Sequence, residues 1–338
     1  MGTKEETLRL IKERGPISGP ELAQALSMSR QGVHKQLKRL REEGRIAKDG
    51  VTRGATYRLA GGTPESAQRR KRYRLQGLEE DGVFEEFEVL LNLRKSLSPE
   101  VRKIARYAFT EMLNNAIEHS GAEFCDVRFR VGPLNLRFEV RDYGIGVFQS
   151  IREKWALEDE PQALRELLKG KATTMPERHT GEGIFFTSKV GDRVAFRSHR
   201  IGLVFDRKMG ETAVRTTRHI AGTEVTFEIS RRSRRKLAQV FDEYAPEEYD
   251  FSFQKTRIQV KLYGKDYASR SEARRLLSRV REFREVVLDF RDVGSIGQGF
   301  ADEVFRVFRT QHPEIVIRVA NLSPELRAMV EHVAHNEM

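Results

Sequence analysis

Between Val101 and Ile117, apolar residues recur at helical spacing: Val101, Ile104, Ala105, Ala108, Phe109, Met112, Leu113, Ala116 and Ile117. Such a stripe is the buried face of one long helix, which must stop by His119-Ser-Gly121. Two runs of period-two alternation follow at once, Asp126–Val131 and Leu134–Val140, with Gly132-Pro133 between them. They read as paired strands with one face that needs a cover. The helix stripe and the strand pair must each bury an apolar face. Glu111 and Asn115 then share a helix face, four residues apart. The second strand runs into Asp142-Tyr-Gly144-Ile-Gly146, and Gly181-Glu-Gly183 opens a further helix.

These residue types suit one kind of chemistry. An amide oxygen such as that of Asn115 is a hard ligand of the sort Mg²⁺ takes. A carboxylate such as Glu111 polarises a water or hydroxyl. Glycine-rich backbone at a helix start cradles phosphate through its N–H groups. The connection from Val147 to Thr180 holds one helical piece, Pro161–Lys169, and is long enough to suggest a function of its own. In this order and spacing the segments resemble the nucleotide site of the GHKL ATPase superfamily, which includes gyrase, the heat-shock-90 chaperones, histidine kinases and MutL.

The resemblance implies ATP and Mg²⁺ as cofactors, Glu111 as the catalytic base and Asn115 as the metal ligand. It implies that Asp142 accepts a hydrogen bond from the adenine amino group, that Gly144 and Gly146 let backbone approach the base, and that Thr223 reaches the adenine. The long connection becomes a lid over the phosphates, bearing Lys171, Thr174 and Arg178 and ending in Gly181 and Gly183; Lys189 is a further phosphate candidate. Asn115-Ala-Ile-Glu-His-Ser and Thr173-Thr-Met-Pro-Glu-Arg look most like the anti-sigma-factor serine kinases. A two-component histidine kinase fits poorly, since no His lies between His34 and His119 to accept phosphate on a preceding hairpin.

Ahead of this, residues 1–75 hold six Lys and twelve Arg against eight acidic residues, nearly all of the chain's net +11. Charge so localised points to an anionic partner, nucleic acid first and a membrane surface second. Leu8, Leu10 and Ile11 mark a first helix that stops before Gly15-Pro16, and Ser18-Gly-Pro20 opens a second. Ser29 caps a third, with Val33, Leu37 and Leu40 inward and Arg30, Gln31, His34, Lys35 and Lys38 outward. Two short strands follow, joined by a basic loop with Arg53. This segment resembles a winged helix-turn-helix. The outward residues of its third helix suit the major groove, and Ser29 and Arg53 suit phosphates.

After residue 254 a βαβ rhythm returns: strands at Ile258–Tyr263, Val286–Phe290 and Ile315–Val319, helices at Ser271–Phe283, Ala301–Phe308 and Pro324–His335. The stretch Val287-Leu-Asp289 to Gln298-Gly-Phe-Ala resembles the STAS domain, the anti-sigma-antagonist fold. The phospho-acceptor Ser of that family is missing: Gly297 or Gln298 stands at the helix start, and Ser295 comes two or three residues early. Asp292, Ser295 and Gln298 are left as interaction residues.

The expectation is thus a multidomain α+β chain: a winged helix over 1–60, a basic linker over 61–76, a GHKL α/β sandwich with helices on one face of a mixed sheet over 77–230, a hinge over 231–254, and a STAS-like α/β domain over 255–338. Mg-ATP would switch DNA or partner binding; the alternative is a serine/threonine protein kinase acting on a separate protein. DNA is the expected partner of the winged helix, a protein that of the STAS-like domain, and a homodimer the assembly to test. No apolar run is long enough to span a bilayer, the N-terminus lacks an apolar leader, and the one cysteine, Cys125, excludes a disulfide framework, so a cytoplasmic protein is expected.

Overall fold

A computed structural model describes residues 3–43, 45–49, 55–59, 67–171, 181–249, 252–264 and 266–335. The chain divides into two compact units at Ser66. Arg53 of the expected wing and Thr174 and Arg178 of the expected lid lie outside the described residues.

The first unit holds α1 (Thr3–Arg14), β1 (Ile17–Ser18), α2 (Gly19–Ala25), α3 (Arg30–Glu42), β2 (Ile46–Asp49) and β3 (Thr56–Leu59). Ser18 and Glu21 form a reciprocal capping box that starts α2. The Ser29 hydroxyl accepts the Gly32 N–H at 3.1 Å and starts α3. The three strands pair antiparallel in the order β1-β3-β2. Leu10, Ile11, Leu22, Val33, Leu37 and Leu40 close the core beneath them.

The second unit opens with β4 (Ala67–Arg74), α4 (Glu80–Leu90), α5 (Leu93–Ser96), α6 (Pro99–His119), β5 (Phe124–Val131) and β6 (Asn135–Asp142). Then come α7 (Val147–Lys154), α8 (Glu160–Lys169), α9 (Gly183–Val190), β7 (Arg193–Asp206), β8 (Glu211–Ser230) and α10 (Leu237–Tyr244). The five strands order β4-β5-β6-β8-β7. All four pairings are antiparallel, not mixed as expected. The long connection after β6 leads to β7, but β8 returns between the two and separates them. Phe109 of α6 and Phe87 of α4 pack on Phe129, and Phe138 stacks on Phe227 at 4.9 Å. This aromatic seam fixes α6 across the sheet.

Two boundaries need correction. Residues 67–74 are not linker: they form the edge strand β4, paired with β5 from Ala67↔Val131 to Arg74↔Phe124. Tyr73 is its buried anchor, while Arg70 and Arg72 share Asp126. Nor is 231–254 a bare hinge. Phe241 and Tyr244 of α10, with Phe253, enclose Phe185 and Phe186 of α9 in an aromatic cluster.

The chain ends with β9 (Lys255–Gln259), β10 (Asp266–Tyr267), α11 (Arg270–Leu276), β11 (Glu285–Asp289), β12 (Ser295–Ile296), α12 (Gln298–Asp302), α13 (Phe308–Gln311), β13 (Val316–Ala320) and α14 (Pro324–His335); a π-helical turn, Glu303–Val307, joins α12 to α13. The strands β13-β11-β9 run parallel. The first begins earlier than expected, at Lys255, and its end tightens into a 3₁₀ turn over Val260–Leu262. This module packs on the antiparallel-sheet module. Buried Lys169 at the end of α8 donates to Glu166, to the Ser278 carbonyl at 2.6 Å and to the Ser278 hydroxyl at 2.8 Å. No helix among the described residues is long and apolar enough to cross a membrane.

Candidate nucleotide site

The C-terminal half of α6, the end of β6, the turn into α7 and the start of α9 enclose a cavity of about 270 Å³. Glu111, Asn115, Asp142, Gly146, Gly181, Gly183 and Thr223 all line it, so seven of the residues singled out from sequence converge on one place. Val140, Ile151, Phe196 and Val225 supply its apolar wall.

Asp142 is the fixed point. Its Oδ1 accepts the N–H of Gly144 at 3.0 Å and that of Thr223 at 3.1 Å. Burial pushes its carboxyl above the ordinary carboxylate range, and those backbone N–H groups oppose the shift. Thr223 Oγ1 in turn accepts the Val147 N–H at 2.9 Å, tying β8 to the start of α7. Gly222, at φ +68°, is what lets the chain reach Asp142: a Cβ there would stand 2.4 Å from Asp142 Oδ1. Gly144 lies against the end of α6, where a Cβ would come within 1.8 Å of the Ser120 carbonyl oxygen. Ile145 N–H donates to that same oxygen at 2.9 Å, so the loop is stitched to the helix. No spacing in the sequence reveals the positive φ of Gly222.

Across the cavity, Glu111 faces the start of α9. A Cβ on Gly183 would lie 2.0 Å from Glu111 Oε2, so only glycine leaves the carboxylate in place. Burial and the charges of Glu111 and Glu182 push the nearby Tyr107 hydroxyl well above the usual tyrosine range. The buried amide nitrogen of Asn115 has no hydrogen-bond partner. A buried amide left open at a cavity wall is a group waiting for a ligand. It fits the expected cofactor: turned end for end, the amide offers its oxygen to a cation or its nitrogen to a phosphate oxygen. Among the described residues no three His, Cys, Asp or Glu side chains cluster as metal ligands. A magnesium ion would therefore depend on Asn115, water and phosphate oxygens, which suits its reluctance to dehydrate.

Two basic candidates are not at the cavity. Lys171 donates instead to the Glu282 carbonyl at 2.5 Å, with its ammonium 4.7 Å from the centre of the Phe283 ring. Lys189 turns to the far side of α9, over the rings of Phe185 and Tyr244, and burial there lowers its pKa to about 8. Both chose aromatic, desolvated company, which their spacing could not show.

On the first unit, Arg30, Gln31, His34, Lys35 and Lys38 are all exposed along α3, and the Ser29 hydroxyl is engaged in its cap. In the last module Ser295 donates to Asp266 at 2.9 Å and Asp292 pairs with Lys261, while α12 starts at Gln298 behind Gly297.

A cavity between a long helix and an antiparallel sheet, with a buried aspartate and glycine turns at its rim, defines an ATPase-type nucleotide fold. Comparison with protein families agrees segment by segment. Residues 82–204 match a histidine kinase-like ATPase domain, residues 4–51 an HTH domain, and residues 272–327 a STAS-like domain of unknown function. The chain therefore joins an HTH domain, a histidine kinase-like ATPase domain and a STAS-like domain. No curated protein matches it.

Proposed function

We propose that this chain is an ATP-binding regulator in which Mg-ATP in the α6–β6 cavity switches binding of DNA by the HTH domain, or of a protein partner by the STAS-like domain. The observation that carries the nucleotide reading is the pairing of a positioned Asp142 with an open, buried Asn115 amide in one cavity. Asp142 would read the base edge, Asn115 would hold the cation, and Gly181 and Gly183 would bring N–H groups to the phosphates. Bound magnesium would neutralise phosphate charge. Glu111 would orient a water or hydroxyl beside the lid end.

A route for switching is suggested by where the lid begins. Lys169 and Lys171, within the connection read as the lid, are both bonded into the STAS-like module. A nucleotide bound beside Gly181 and Gly183 would thus act on a connection the third domain already grips, and it shifts the balance only by binding the two arrangements unequally.

The test is retention of duplex DNA by the full chain, with and without Mg-ATP, for wild type and Asn115→Ala. Wild type should change its DNA affinity on adding nucleotide and the variant should not. Equal DNA binding in both conditions by a wild type that demonstrably binds ATP would end the reading that nucleotide switches DNA binding. The position of Glu111 favours one second reading, a serine/threonine protein kinase acting on a separate protein; transfer of labelled γ-phosphate to a protein, abolished in Glu111→Gln, would establish it.

A further inference from the structure

The sheet of the ATPase domain has a second face, turned away from α6, and it is rich in arginine and carboxylate. Strand alternation puts Arg70, Arg72 and Arg74 of β4 there beside Arg128 and Arg130 of β5. Register carries the layer across Arg137 and Arg141 of β6 to Arg193 and Arg197 of β7, with β8 between them.

Three observations show that this layer is more than a solvated surface. First, like charges stand directly opposite one another: Arg70 faces Arg128, and Arg130 faces Arg137. Such pairs cost sheet stability, so folding alone does not account for them. Second, the carboxylates form the floor and the guanidinium groups the outer surface. Asp126, Glu139 and Glu224 side chains are 10%, 19% and 16% exposed, whereas Arg72, Arg74 and Arg137 are 57%, 63% and 46% exposed. That floor pairs with Arg70, Arg72, Arg128, Arg137, Arg141 and Arg197, and the more exposed partner of each pair is the arginine. Third, the buried Nε atoms of Arg128 and Arg141 have no hydrogen-bond partner.

We infer that this face binds the phosphodiester backbone of DNA. Arginine is the residue for bidentate phosphate contact. Rows of arginine on the adjacent strands β4, β5 and β6, about 4.8 Å apart with same-face residues about 6.6 Å apart along each strand, offer repeated contacts to a regularly charged chain, while β8 puts Glu224 and Glu228 between them and the arginines of β7. Tyr143, exposed between Arg72 and Arg141, adds a ring at one end of the grid. The inference goes beyond the reading that the HTH domain binds DNA: a second, sequence-blind surface would raise affinity without adding specificity.

The experiment measures affinity of the full chain for random-sequence duplex DNA by fluorescence anisotropy over a range of salt. Two variants are compared with wild type: the sheet-face triple Arg74→Gln, Arg130→Gln, Arg137→Gln, and the α3 double Arg30→Ala, Lys35→Ala. Each phosphate contact contributes about 0.9 to the slope of log affinity against log salt, so the sheet-face triple should be shallower by up to about 3. The same three positions changed to Lys should keep most of the slope, and thermal unfolding should show that all variants fold. An unchanged slope in the glutamine triple overturns the inference. So does equal loss of DNA and polyglutamate binding, which would mark the face as a site for acidic protein. If only the α3 double loses binding, the HTH reading stands and this one falls. If only the sheet-face triple does, the HTH reading fails and this one stands.

Discussion

Asp142→Asn isolates what the buried aspartate does for a nucleotide. Oδ1 already accepts two backbone N–H groups, from Gly144 and Thr223. An asparagine can keep both with its carbonyl oxygen, and its NH₂ then takes the place of the oxygen left for a ligand. Against an adenine amino group this sets donor against donor. Leaving such a group unpaired in a buried site costs about 1–3 kcal/mol, a loss of about five- to 150-fold in ATP affinity. Inosine triphosphate, which carries a carbonyl where ATP carries the amino group, reverses the argument: the carboxylate repels it and the amide donates to it. Calorimetric titration should therefore show ATP weakening, ITP strengthening, and the preference between them collapsing. Folding should survive. Burial holds the Asp142 pKa above its unfolded value of about 4, so its stabilising contribution is complete only below that pH and is lost as pH rises through the folded value. Above that folded value the neutral asparagine should melt no lower than wild type, with a flatter dependence on pH above 4. If ATP bound the variant as tightly as wild type while it remained folded, the assignment of Asp142 to the adenine edge would be refuted.

Other perturbations follow from the same geometry. Gly144→Ala drives a methyl into the Ser120 carbonyl, a backbone atom that cannot give way, and should lower stability by about 1–3 kcal/mol or more in denaturant titrations. Gly183→Ala meets only the tip of Glu111, so the melting temperature should hold while phosphate release or transfer falls. Lys169→Met should cost about 3–5 kcal/mol by leaving Glu166 buried without its partner, and Glu166→Met in the same chain should restore most of that loss. Cys125 is fully buried and its thiol is pushed up to about 12, so at neutral pH a disulfide reagent should label it only as fast as the chain opens.

The parts of this protein legible in sequence are those whose burial leaves a period. The α6 stripe, the β5–β6 alternation and the apolar strand β11 all write their environment into residue type, and the glycines of the cavity rim mark where backbone must pass close. What was hidden lacks that contrast. β4 is an edge strand with Tyr73 as its one buried ring, and five of its eight residues are basic. Such a composition reads as linker unless its partner is known. Lys171 shows the same limit from the other side: lysine in a glycine-ended lid is a sound phosphate candidate, and nothing local announces that Phe283 and the Glu282 carbonyl will claim it. The two misreadings share a cause. Cations are cheap to place near any anion or ring, so their partners are chosen by tertiary neighbours, whereas an apolar face must be covered wherever it lies. It follows that the basic residues here are the ones to test singly, by substitution and salt dependence, while Asp142, Thr223 and Gly222 constrain each other strongly enough to be tested as a unit.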